Sequence, residues 1–188
     1  MEANRKFLEN ELILVEQAKT DDQAFSALYD FYFPKIYYFI LKRVGHRETA
    51  EDLTASIFLK AFSNLKKFKV EHSYSFCAWL YRIATNSLTD YYRRQSRKTE
   101  INLDSIVEPS DQRPDIVQGI AAVSEGKIVR QALLELDGRE REALELKFFA
   151  ELSNLEIAAT LNLSANNAGV IIYRALKKFK AIYQKYDE

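Results

Sequence analysis

The chain has one cysteine, Cys77, in 188 residues, which excludes an internal disulfide framework and fits a reducing compartment. Five glycines and three prolines are few for a β-rich or loop-rich chain, and helix formers fill the intervals between them. The two histidines, His46 and His72, stand far from any metal-ligand pattern, and no glycine-rich phosphate loop is present. The acids between Asp104 and Asp115 lack the fixed spacing of a calcium loop. Cys77 beside Trp79 reads as a small packing residue and not as a nucleophile. An enzyme is therefore not expected, and neither are catalytic residues, a metal or a cofactor. Long apolar runs are missing too. Phe31–Leu41 is broken by Pro34 and Lys35 and is too short to span a bilayer, and residues 1–10 lack the apolar core of a signal peptide. The expectation is a cytoplasmic protein without membrane insertion.

What the chain does have is aromatic material for cores, 11 Tyr and 12 Phe, and an uneven charge distribution under a net charge of zero. Residues 1–98 carry 16 Lys+Arg against 12 Asp+Glu, a net of +4. Residues 99–126 carry one Arg against six acids, a net of −5, and residues 127–188 carry 10 against nine, a net of +1. A basic block, an acidic spacer and a mixed block average to neutrality.

Apolar periodicity predicts helices through most of residues 1–98. Asp21 or Asp22 can cap a helix carrying Ala24, Phe25, Leu28, Tyr29 and Tyr32, which Pro34 is expected to interrupt or kink. Ile36, Phe39, Ile40 and Val44 continue the stripe to Gly45, a C-cap candidate. A second helix from about Glu48 turns Ala50, Leu53, Ile57, Phe58, Ala61, Phe62 and Leu65 inward and ends at Lys66-Lys67-Phe68-Lys69. Val70–Tyr74 reads as a loop. Ser75 opens a long helix to Lys98 whose core face is Phe76, Trp79, Leu80, Ile83 and Leu88.

Residues 99–126, with two of the prolines and no sustained period, read as a flexible acidic linker in which helix resumes near Ser124. A helix through Ala132, Leu133 and Leu136 ends at Asp137-Gly138. Arg139–Phe149 follows, with Ala143, Leu144, Leu146 and Phe148 on its apolar face. Ser153 with Glu156 three residues on is a capping box. Ile157, Ala158 and Leu161 face inward, Asn162-Leu163 is the turn, and Ser164 caps a last helix carrying Ala168, Ile172, Ala175 and Phe179. The fold class expected is all-α, with two small helical domains on one linker.

Two segments carry chemistry. Ser153–Lys180 has the parts of a helix-turn-helix, with Arg174, Lys177, Lys178 and Lys180 placed to neutralise phosphates. A generic three-helix bundle with a solvated basic tail explains the same periodicity. Phe76–Lys98 interleaves aromatics and cations, with Arg82, Asn86, Tyr91, Tyr92, Arg93, Arg94, Arg97 and Lys98 off its core stripe. Such a surface suits melted DNA, because rings stack on bases while cations hold phosphates. An ordinary amphipathic helix with a charged end is the plainer reading.

The run Phe76, Ala78-Trp79-Leu80, Ile83-Ala84, Asn86, Asp90 and Arg93-Arg94 resembles the promoter-melting segment of extracytoplasmic-function sigma factors of the sigma-70 family. Upstream, AEDLTASIFLKAFSNLKKF resembles the helix these factors set against the clamp of core RNA polymerase. Downstream, REREALELKFFAELSNLEIAATLNLS resembles their helix-turn-helix domain, although this chain reads Gly138-Arg139-Glu140-Arg141-Glu142 at its start. The three matches occur in the family's order.

The resemblance implies a region-2-like domain over residues 1–98, the acidic linker over 99–126 and a region-4-like domain over 127–188. Asp52, Phe58 and Leu59 would bind polymerase. Asn86, Tyr91, Arg93, Arg94, Arg97 and Lys98 would act at the −10 element. Ser164, Asn166, Asn167, Val170, Ile171, Arg174, Lys177 and Lys178 would act at the −35 element. Expected partners are the clamp and flap surfaces of core RNA polymerase, promoter DNA and an anti-sigma factor. The chain departs from the family pattern at Ala55-Ser56, where polar anchors are common, and at Gly169-Val170-Ile171, where Lys, Ser and Arg are common. Val170 and Ile171 could meet thymine methyl groups, with Asn166 and Asn167 on adenine edges. The same departures fit an alternative, a sigma-like adaptor that binds protein partners without directing transcription.

Overall fold

The computed structural model describes residues 11–69, 75–101 and 124–187, and the chain divides into two compact units, 1–113 and 114–188. Among the described residues all regular structure is helical. The Val70–Tyr74 loop and linker residues 102–123 lie outside them.

The first unit contains α1 (residues 11–17), α2 (Asp22–Val44), α3 (Arg47–Leu65) and α4 (Phe76–Ile101). The Asp21 carboxylate caps α2 by accepting from the Gln23 N–H at 2.8 Å. Gly45 closes it in the left-handed region at φ 73°, donating its N–H to the Leu41 carbonyl at 2.9 Å. The expected interruption at Pro34 does not occur, and α2 runs on through it. Proline removes the N–H that would meet the Asp30 carbonyl, and its ring crowds that carbonyl. Leu28, Tyr32, Ile36 and Ile40, one every fourth residue, are fully buried on both sides of it, and that burial offsets the cost of the proline.

Against that stripe α3 buries Ala50, Ile57, Phe58, Ala61 and Leu65, and α4 buries Phe76, Leu80, Tyr81, Ala84 and Leu88. Thr54 is also buried, its hydroxyl satisfied by donating to the Ala50 carbonyl at 2.7 Å. Four residues expected inward on α3 and α4 are not fully buried, Leu53 being one that is half-buried. Phe62 is 47 % exposed and meets Phe25 edge-on at 4.8 Å. Trp79 and Ile83 are half-buried, because α4 turns Ala78, Tyr81 and Ala84 inward instead. The N-terminal segment adds Val15 and Glu11 to the core, and the Tyr32 hydroxyl donates to the buried Glu11 carboxylate. Burial, together with neighbouring Cys77 and Glu11, pushes the Tyr32 hydroxyl far above its ordinary range.

The second unit contains α5 (Ser124–Leu134), α6 (Gly138–Phe148), α7 (Asn154–Leu161) and α8 (Ala165–Asp187). Helix therefore occupies both margins of the predicted linker: α4 runs three residues past Lys98 and α5 begins at Ser124. Asp137 caps α6 through the Glu140 N–H at 2.8 Å, one residue earlier than the sequence suggests. Arg141 Nη2 donates to the carbonyls of Leu134 and Leu136 at 2.9 and 3.0 Å, which satisfies the end of α5. Phe148, expected inward, is 59 % exposed, since α6 buries Ala143, Leu144 and Leu146 on another face. The capping box forms as expected, Ser153 N–H to Glu156 Oε2 at 2.9 Å and Glu156 N–H to Ser153 Oγ at 3.3 Å. Asn162 takes the left-handed conformation at φ 53° and ends α7, and the Leu163 N–H reaches the Ala158 carbonyl at 2.8 Å. Ile157, Ala158, Ala168, Ile172 and Ala175 pack the two helices together, while Leu161 and Phe179 are half-buried.

Candidate nucleic-acid interface

In the first unit the interface is built along α4. Ser75 Oγ accepts from the Ala78 N–H at 3.2 Å and starts the helix. At about 100° per residue, Trp79, Asn86, Arg93 and Arg97 fall within roughly 40° of one line along its length. The upper part of that line opens on a shallow groove of about 610 Å³. Trp79 stacks on Phe68 there, ring centroids 4.6 Å apart, with Ile83 and Asn86 beside them. Lys60, Lys67 and Lys69 supply the cations, and Lys60 Nζ donates to Ser87 Oγ at 3.0 Å. An aromatic surface ringed by cations can stack a base and hold its phosphate.

Not every residue anticipated on α4 joins this line. Arg93 is exposed but pairs with Asp90 at 3.0 Å, and Arg94 and Arg97 are exposed. Tyr91 lies about 140° around the helix from Asn86, half-buried, with its hydroxyl accepting from Gln95 Nε2 at 3.0 Å. It is not part of the groove face. Lys98 lies in the last turns of α4, and its side chain is outside the described residues. Tyr92 donates its hydroxyl to the Arg43 carbonyl at 2.6 Å and ties α4 to the end of α2. The sequence reading missed the groove itself. Its signal was Lys66-Lys67-Phe68-Lys69, read only as a helix ending.

On α3, Asp52 and Leu59 are seven residues apart and share an outward line, with Leu59 67 % exposed. Phe58, assigned to the same surface, is instead 4 % exposed, its ring 4.7 Å from Tyr29 and 6.2 Å from Phe33. It is a core residue and cannot be presented to a partner, because the α2 aromatics cover it.

In the second unit α8 is the outward helix of the helix-turn-helix. Ser164 Oγ caps it by accepting from the Asn167 N–H at 3.3 Å. Ala168, Ile172 and Ala175 fix the inner face, so Asn166, Val170, Tyr173 and Lys177 point away, within about 60° of one another. Val170 is 45 % and Tyr173 69 % exposed, and Asn166, Asn167, Arg174 and Lys177 are exposed. Tyr173 escaped the sequence reading. Ile171 is half-buried on the flank. Lys178, expected on a phosphate, has its Nζ 2.6 Å from Glu140 Oε1 and 4.0 Å from Asp137 Oδ2. The Glu140 N–H on the Asp137 carboxylate, reinforced by Lys178, holds that carboxylate below its ordinary range. Among the described residues no helix is long and apolar enough to cross a membrane.

A basic aromatic groove on one helical unit and a capped helix-turn-helix on the other are the parts of a two-part DNA-binding protein. The family comparisons agree. Sigma-70 region 2 matches residues 28–98 and Sigma-70 region 4 matches residues 126–179. The chain is 33% identical to RNA polymerase sigma factor YlaC of Bacillus subtilis, covering 86% of this chain and 92% of YlaC. It is 30% identical to the ECF RNA polymerase sigma factor SigW of the same organism, covering 87% of this chain and 93% of SigW. Its fold is that of the sigma factor RpoE of Bartonella quintana, solved with the anti-sigma factor NepR, at a TM-score of 0.65 and 20% identity over 85% of this chain and 96% of RpoE. The chain belongs to the extracytoplasmic-function group of the sigma-70 family, and it is an RNA polymerase sigma factor.

Proposed function

We propose that the two units divide promoter recognition between them. The first unit holds the non-template strand of the −10 element in the Trp79–Phe68 groove, with Arg94 and Arg97 on the phosphates beyond it. The second unit sets α8 in the major groove of the −35 element. The Asp52–Leu59 line on α3 meets the clamp of core polymerase, and the second unit meets its flap. The chain itself makes no bond; polymerase supplies the chemistry, in the cytoplasm. Since RpoE has been solved with an anti-sigma factor, control by such a partner, covering the polymerase-binding faces, is part of the proposal.

The observation that carries this reading is the alignment of Trp79, Asn86, Arg93 and Arg97 on one line of α4, from a ring-stacked groove to an exposed basic end. The test is transcription by core polymerase of the same organism from the promoter of this protein's own gene, with permanganate reactivity of thymines as the melting readout. Arg94→Ala/Arg97→Ala is expected to keep polymerase binding and lose permanganate reactivity. Stable polymerase binding by the natural protein with no opening of any promoter would favour the adaptor reading instead.

A further inference from the structure

The outward face of α8 has an order to its chemistry. Its first turns present Asn166, Asn167, Val170 and Tyr173, and its cations begin only at Arg174. Residues near the N-terminus of such a helix reach base edges, whereas later ones meet the backbone. Guanine is read in the major groove chiefly by the paired donors of Arg or Lys on O6 and N7. The turns of α8 that would face bases contain neither. Lys178 lies in the fourth turn, beyond the base-facing ones, and pairs with Glu140 at 2.6 Å.

The side chains that are there have their own preferences. A carboxamide can donate to N7 and accept from N6 of adenine in one bidentate contact, and an aliphatic group packs on the 5-methyl of thymine. Asn166 and Val170 are four residues apart on the outward line, so their Cβ atoms lie about 6 Å apart. That spacing is on the order of two base steps of 3.4 Å. Ile171, turned to the flank and half-buried, is set apart from Val170 by the same geometry.

We infer that α8 reads A·T pairs: Asn166 takes an adenine, Val170 takes the methyl of a nearby thymine, and no side chain of the first two turns reads guanine. This rests on the proposed placement of α8 at the −35 element and specifies which bases that placement selects.

The test uses the full chain with core polymerase on a promoter library randomised across the −35 region, with selection for open complexes. Enrichment of A·T pairs is expected where α8 contacts bases. Thymine is then replaced by deoxyuridine, which deletes only the 5-methyl group. Binding by the natural protein should weaken roughly 3- to 5-fold at one position, the worth of one buried methyl, and Val170→Ala should not respond to the replacement. Asn166→Ala should lose about 5- to 150-fold of its preference for adenine at its position.

Several results would overturn the inference. One is enrichment of a guanine whose preference disappears when a first-turn residue of α8 is replaced. Another is a deoxyuridine effect that is absent in the natural protein or equal in Val170→Ala. Initiation with no −35 preference at all overturns it while leaving the sigma function standing. Failure to initiate from any library member overturns the inference and the promoter-recognition proposal together.

Discussion

Lys178 Nζ lies 2.6 Å from Glu140 Oε1, bridging α8 to the first turn of α6. Glu140 is 7 % exposed, and its other carboxylate oxygen has no hydrogen-bond partner within the protein. The pair therefore serves mainly to neutralise a buried acid, and it engages Lys178 in the free protein. Lys178→Met, which keeps the aliphatic stem, should lower stability by about 1–2 kcal/mol in urea titration, less than a fully buried pair because the lysine is more than half exposed. The salt dependence of DNA binding separates the neighbours. Lys177→Ala should reduce the log–log slope by about 0.9, one phosphate contact, while Lys178→Met leaves it near the natural value. Equal reductions would mean that the pair opens on DNA.

The Tyr32 hydroxyl donates to Glu11 inside the first unit, and burial raises its proton affinity above the ordinary value of 10.0. The unfolded chain loses this proton near pH 10.0 and the folded chain keeps it. Below that pH both states hold it, so it gives stability no slope. Above it, the unfolding free energy should fall by about 1.4 kcal/mol per pH unit more steeply in the natural protein than in Tyr32→Phe. At neutral pH the same variant deprives a buried carboxylate of a donor and should be weaker by roughly 1–3 kcal/mol. Parallel alkaline curves for the two proteins would show that Tyr32 ionises in place.

The features that local chemistry dictates were legible in the sequence. The Asp21 and Ser153 caps and the Gly45 and Asn162 terminations each depend on residues within four positions of one another. What failed depends on the third dimension. A period-3.6 pattern says that Phe58 and Phe62 belong to a broad apolar face, but only the position of Tyr29 and Phe33 on α2 decides that Phe58 is covered and Phe62 is not. Pro34 is a helix breaker in isolation, and it is overridden by the buried stripe on either side. The Lys178–Glu140 pair spans 38 positions and leaves no local mark. The Trp79–Phe68 groove needs two helices to form a wall each, so its residues looked like a core edge and a helix ending.

Gly169 sits inside α8, and a Cβ placed on it would meet nothing within 4 Å. Neither backbone conformation nor packing requires glycine there. Gly169→Ala should therefore stabilise the second unit by about 1 kcal/mol, the helix-interior difference between the two residues. A higher urea midpoint at unchanged m-value is the expected result. No gain would mean that the helix frays at this turn in solution.

Phe58 and Leu59 are adjacent in sequence and opposite in environment, at 4 % and 67 % exposure. Phe58→Ala removes a ring packed against Tyr29 and Phe33 and should lower stability by about 3–5 kcal/mol. Any loss of polymerase binding it causes should then track the unfolded fraction and recover when the temperature is lowered. Leu59→Ala removes no core contact, so its stability should stay within about 0.5 kcal/mol of the natural protein. Its effect should fall instead on association with core polymerase, read by fluorescence anisotropy of the labelled chain, at every temperature alike. If Leu59→Ala binds polymerase normally while Asp52→Ala does not, the contact lies toward the start of α3. If neither substitution matters, the outward line of α3 is not the polymerase-binding face, and the surface of α2 around exposed Tyr38 becomes the one to test.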